Sequence, residues 1–272
     1  NDASKVVRSG RVYMCGLYAA REGKDGRVPI DAWPRRNLVW WAKFLRENGL
    51  PRKLYRRTMK TAKKFCPHTD ASTGFGFGGF WIIGGVCYYI FGKWTDQEKK
   101  LIDSANHLFT DAKGVEHKMG INFLEMAAVW MMLAAIAEEV DKRGVELTED
   151  GYTFFCDNET TVKILNSYAT RTLPTATLLE NIDLFKETQQ KTMEWEWLST
   201  KINTESDLLS RGEEDEFKDF VRDNHGIFSF VHMQVPDHAR DITEVVATAL
   251  RNPHWIVADG ESKEEWRPGP HA

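Results

Sequence analysis

Four acids stand where apolar segments begin or end: Asp70, Glu125, Asp157 and Asp207. Asp70 closes a strand expected over residues 64–72, and Glu125 lies in the first turn of an apolar helix expected over 122–143. Asp157 ends a short buried strand over 152–157, and Asp207 lies in the first turns of a late helix over 204–211. All four could therefore meet at one edge of a sheet. Clustered carboxylates repel one another unless they share cations. Hard oxygen donors suit Mg²⁺ or Mn²⁺, and a pair of such ions suits phosphodiester hydrolysis.

Each acid also has a purely structural reading. Asp70 would serve a turn before Ser72 and Gly74. Asn122 and Glu125 have the spacing of a capping box, Asp157-Asn158 would cap the next helix, and Asp207 would favour a helix dipole. His68 and His117 have no partner at ligand spacing and read as ordinary histidines.

The elements that must position these acids follow from pattern. Residues 31–49 read as a capped helix, with Asp31 at its start, Pro34 in its first turn and Gly49 past its end. Residues 74–92 form a chargeless stretch long enough to imitate a membrane span, but seven of them are Gly and most others are aromatic or β-branched. Two buried strands, 77–83 and 86–91, turned by Gly84-Gly85, explain it better, and no membrane partner is expected. The formal G-x-G-x-x-G at Gly74, Gly76 and Gly79 precedes a strand, so a dinucleotide loop is excluded. Residues 93–120 show no clear periodicity. Residues 122–143 lack Pro and Gly and are apolar almost all round up to Glu138, which marks a buried helix. Amphipathic helices are expected over 159–168 and 177–190, and residues 192–198 alternate as a half-exposed strand. The fold class is α/β, a mixed five-stranded sheet flanked by helices.

Composition narrows the class. The chain has 272 residues, 42% apolar and 28% charged, which excludes a disordered or low-complexity protein. Four cysteines, Cys15, Cys66, Cys87 and Cys156, lie far apart with no C-x-x-C pair, so neither a disulfide framework nor a zinc knuckle is expected. With no apolar leader pattern in the first residues, an intracellular location, cytoplasmic or nuclear, is expected. The net charge is −4, yet between Arg35 and Lys64 there are 11 Lys/Arg against one acid, Glu47. That basic run, with Arg52, Lys53, Arg56 and Arg57 at its centre, reads either as a nucleic-acid contact or as a solvated linker.

Several pieces together resemble one family. His68-Thr69-Asp70-Ala71-Ser72 and the Gly-rich hairpin are followed by Ile121-Asn122-Phe123-Leu124-Glu125, then Cys156-Asp157-Asn158, then Asn203 through Asp207 to Arg211. In that order they are similar to the ribonuclease H domains of retroelement reverse transcriptases of the DIRS and gypsy-like groups. The likeness spans residues 65–211, and the Trp40-Trp41 helix resembles the piece joining polymerase to ribonuclease H there. The resemblance implies a ribonuclease H-like fold and a nuclease that uses two Mg²⁺ or Mn²⁺ ions to cut the RNA strand of RNA–DNA hybrids, leaving 5′-phosphate and 3′-hydroxyl ends. It implies that Asp70 bridges both ions, that Asp207 holds the water-side ion, and that Glu125 and Asp157 hold the leaving-group ion. Ser72, Asn158 and Thr160 become candidate contacts to backbone or 2′-hydroxyl groups.

Family members often carry a His and Pro-Gly before the last acid. Here Trp197-Leu198-Ser199-Thr200-Lys201 stands in that place, a departure that bears on turnover and not on the ligands. Asp70 and Glu125 are also 55 residues apart, a long separation. A transposase or integrase of the same fold would carry its Glu last, and a proofreading exonuclease would carry Asp-x-Glu on the first strand; neither fits. The alternative function is a non-catalytic ribonuclease H-like scaffold or RNA-binding module in a larger assembly. Three regions are expected: a basic helical connection segment (1–64), the ribonuclease H-like domain (65–211), and a partly disordered C-terminal extension (212–272) containing a helix over 241–251. A polymerase part is the expected protein partner.

Overall fold

The structure, a computed structural model, describes residues 9–14, 17, 32–48, 65–103, 109–110, 116–117, 120–143, 151–170, 173–189 and 192–245. Arg52, Lys53, Arg56 and Arg57 lie outside the described residues, as does the part of the 241–251 helix beyond residue 245.

The Gly-rich stretch is a hairpin, as its composition requires. Strand β2 (Gly76–Ile83) pairs antiparallel with β3 (Val86–Lys93), and Gly84 and Gly85 turn between them at φ +58 and +77, a region that suits glycine. The strand before the hairpin, β1 (His68–Ala71), pairs antiparallel with β2 and parallel with β6 (Gly151–Cys156). It is shorter than expected: Phe65 makes only an isolated bridge to Tyr152, and Pro67 offers its carbonyl to Phe155 but has no N–H for a ladder. Strand β7 (Thr192–Trp197) adds parallel to β6.

These are the five expected strands, but the sheet has six. Strand β8 (Ser229–His232) lies parallel to the free edge of β3, giving the order β7-β6-β1-β2-β3-β8. A separate two-residue pair, β4 (Phe109–Thr110) and β5 (Glu116–His117), lies in the polar segment that showed no periodicity.

Helices cover both faces. Helix α1 (Ala32–Asn48) and α2 (Asp96–Asp103) precede the long α3 (Ile121–Arg143), which is followed by α4 (Glu159–Ser167) and α5 (Leu173–Gln189). Helix α3 packs its Leu, Met and Ala residues against Phe77, Trp81, Ile90 and Phe154 of the sheet. Residues Ile121–Val140 are apolar enough to cross a membrane, but 78% of their most apolar window is buried inside the protein, so this is a core helix. The other face carries α6 (Thr204–Arg211) and α7 (Glu214–His225), whose Leu209, Phe217 and Val221 meet Phe80, Cys87 and Tyr89. Alternation along β2 assigns Phe77 and Trp81 to one face and Phe80 to the other. A last short helix, α8 (Asp237–Arg240), returns to the first core, where Met233, Ala239 and Ile242 are buried.

Candidate active site

The geometry starts from sheet register. Thr69 of β1 stands beside Cys156 of β6, so Asp70 and Asp157 follow one another off the same ends of adjacent parallel strands. Asp70 also stands opposite Gly78 of β2. Facing residues of an antiparallel pair point to the same side of the sheet, and here that side carries α6. A Cβ at Gly78 would lie 2.4 Å from Leu209 Cβ and 2.5 Å from the Ser210 backbone nitrogen. Only a glycine lets α6 lie this close, and α6 carries Asp207 to Asp70. Asn203, just ahead of α6, donates to the Thr69 carbonyl at 3.2 Å and fastens the helix to β1.

Glu125 arrives from the opposite face. Helix α3 begins at Ile121, so Glu125 falls in its second turn, and the capping-box reading of Asn122 and Glu125 is not realised. The side chain is 3% exposed and accepts the Cys156 thiol at 3.7 Å. Asp70, Glu125, Asp157 and Asp207 all line one cleft of about 570 Å³, together with Ser72 and Arg211. The sequence-derived acids are thus brought together. Possible ligand atoms of Glu125, Cys156 and Asp157 lie within 4.8 Å of one another.

The electrostatics are those of acids forced together. Burial, then the neighbouring Asp157 and Asp207, push Asp70 up to about 6, against the pull of a hydrogen bond from Ser210. Burial and the charges of Asp70 and Asp157 hold Glu125 well above the usual carboxylate range. Burial and the Glu125 charge raise the Cys156 thiol far up, so it stays a hydrogen-bond donor to Glu125. Among the described residues lining the cleft, Arg211 is the one cation. Its Nε and Nη2 both donate to Asp207 Oδ1, at 2.9 and 2.7 Å, at the open rim.

The remaining candidates divide. Ser72 does not offer a free hydroxyl: it donates to the Ser210 carbonyl at 2.8 Å and accepts from Phe75 and Gly76 N–H groups, closing the turn after β1. Asn158 caps α4 by accepting the Thr161 N–H at 2.9 Å. Thr160 is exposed on the first turn of α4. His68 stacks between Phe80 and Phe155, and burial lowers its pKa, which fits a structural role.

Three residues of the site had no role assigned to them from the sequence. Ser210 donates to Asp70 Oδ2, Arg211 holds Asp207, and Trp197 donates its indole N–H to the Asp157 carbonyl at 2.9 Å while half its surface stays open. The spacing Asp207, Ser210, Arg211 puts i, i+3 and i+4 on one helical face, which is the signal that could have found the first two.

No family model matches the chain, and no curated protein matches it. Among solved structures it is similar to LC11-RNase H1, isolated from compost by a metagenomic approach. Identity there is 14%, with a TM-score of 0.36, over 56% of this chain and 96% of that one.

Proposed function

We propose that this chain is a ribonuclease H-like nuclease that hydrolyses the RNA strand of RNA–DNA hybrids with divalent metal ions. The observation that carries the reading is the cleft itself: four carboxylates from β1, α3, the end of β6 and α6, with one rim arginine as counter-charge. Two of them, Asp70 and Glu125, are held above their usual pKa by burial first and then by neighbouring acids, Asp157 and Asp207 beside Asp70, and Asp70 and Asp157 beside Glu125. Such a donor set fits Mg²⁺ or Mn²⁺, whose oxygen preference matches it and whose charge relieves the repulsion. Ions bound there would supply an activated water and neutralise the charge developing on the leaving oxygen.

The protein's own groups have separable tasks in this reading. Asp70 stands at the centre, with Glu125 and Asp157 on the leaving-group side and Asp207 on the water side. The Cys156 thiol and α3 keep Glu125 fixed from below, and Arg211 keeps Asp207 oriented at the rim. Thr160, exposed on α4 next to the Asp157 strand end, is the candidate 2′-hydroxyl contact, and the basic run around Arg52, Lys53, Arg56 and Arg57 is the candidate duplex track. A retroelement reverse transcriptase, with its polymerase part as partner, is the proposed setting, resting on the motif order alone.

Cleavage of a hybrid labelled in its RNA strand tests this. The wild-type chain is expected to cut in Mg²⁺ or Mn²⁺ and not in Ca²⁺, and Asp70→Asn is expected to reduce the rate by about 10³-fold or more. A folded wild-type chain inert on hybrids in Mn²⁺ would favour the non-catalytic scaffold instead.

A further inference from the structure

Ser210 has one hydroxyl hydrogen and two acceptors in reach. One is Asp70 Oδ2, at very short range; the other is the Asp207 carbonyl one helical turn back, at 3.0 Å. The closer, charged acceptor takes the proton, since a hydrogen bond to a carboxylate is the stronger of the two. Ser210 is fully buried, so no bulk water replaces its hydroxyl. Its own carbonyl accepts from Ser72 two residues beyond Asp70, so the serine joins α6 to the end of β1 through both side chain and backbone. Gly78, opposite Asp70, is what lets Ser210 come this near.

We propose that Ser210 is a positioning residue for metal binding: it holds one oxygen of Asp70 so that the other faces the cleft, and it sets β1 against the helix that carries Asp207. This rests on the nuclease reading above but concerns a residue with no place among the ligands. A carboxylate held by a hydrogen bond loses little freedom on taking up a cation, whereas one without that bond must be ordered at the moment of binding. Outer partners of this kind commonly contribute 10- to 100-fold to metal affinity.

Calorimetric titration of the metal-free chain with Mn²⁺ tests it, with thermal melting measured in parallel. Ser210→Ala is expected to weaken Mn²⁺ binding by about tenfold. Ser210→Thr, which keeps the hydroxyl, is expected to stay within about twofold to threefold of wild type, well inside that tenfold loss. If the alanine variant fails to fold, Ser210→Cys serves, since it fills the site with a slightly larger group that is a much weaker donor; a clear loss of Mn²⁺ affinity is expected there too. Unchanged Mn²⁺ affinity in a folded Ala or Cys variant, whatever its melting temperature, would overturn the inference and leave the nuclease reading intact. A wild-type chain that binds no Mn²⁺ at all would overturn both.

Discussion

Glu98 and Glu125 are buried to almost the same degree, 1% and 3% exposed, and each stands three residues after a residue of a type that caps helices, Thr95 in one case and Asn122 in the other, although Asn122 lies inside α3 and only Thr95 caps. Their surroundings differ completely. Glu98 completes a real capping box: its Oε2 accepts the Thr95 N–H at 2.7 Å while its own N–H donates to Thr95 Oγ1 at 3.2 Å. Its other oxygen takes Arg240 at 2.6 Å, and that guanidinium also lies over the Phe77 ring and donates to the Lys93 carbonyl. Glu125 has a weak thiol donor, a backbone N–H from Ala71 and two further acids as neighbours but, among the described residues, no cation. Burial alone therefore does not distinguish a structural carboxylate from a functional one. What distinguishes them is whether the protein supplies the counter-charge or leaves it to a ligand.

The largest contrast should come from the same substitution at the two sites. Glu125→Gln is expected to cut hybrid cleavage by about 10³-fold while leaving the melting temperature of the metal-free chain unchanged or higher, because a repelling charge is removed. Glu98→Gln is expected to do the reverse, destabilising by about 3 kcal/mol by leaving the Arg240 guanidinium without its counter-charge, with cleavage per folded molecule preserved. Equal losses of stability at both sites would erase the distinction.

Next in size is the pH response of the metal-free chain. Asp70 and Glu125 have raised pKa values in the folded state, so their protonated forms favour folding at low pH, and that contribution is lost as pH rises through the folded values. For Asp70 the window runs from about pH 4, its unfolded value, to about 6 and just above, and is worth on the order of 2–3 kcal/mol. Urea melts in a chelator should accordingly show stability falling from pH 5 to pH 7, and Asp70→Asn should flatten that fall. A chain that gains stability over this interval would contradict the charge crowding.

A smaller effect tests how the two faces meet. Gly78→Ala forces a methyl against the α6 backbone and should destabilise by about 1–3 kcal/mol, as overpacking does. Because Asp207 and Ser210 both ride on α6, cleavage should fall further than stability explains. Gly74→Ala, with open space around it, is the control.

Much of this was legible in the sequence because the signals are local. The hairpin follows from Gly84-Gly85 between aromatic runs, α3 from an uninterrupted apolar stretch, and the site from acids at element ends. What escaped reading depends on contacts distant in sequence. Glu98 and Arg240 are 142 residues apart, although Thr95-x-x-Glu98 did carry a capping signal for α2. Strand β8 has only four residues with no strong alternation; the free edge of β3 makes it a strand. Ser210 reads as an ordinary helix residue until α6 is laid over Gly78.

The most direct measurement is the location of Mn²⁺ by anomalous diffraction in a soaked crystal. Two peaks about 4 Å apart are expected beside Asp70, one toward Glu125 and Asp157 and the other toward Asp207, with none near Glu98. A structure with Mn²⁺ in the soak and no peak in the Asp70 cleft would contradict the claim that these four carboxylates are kept together for metal ions.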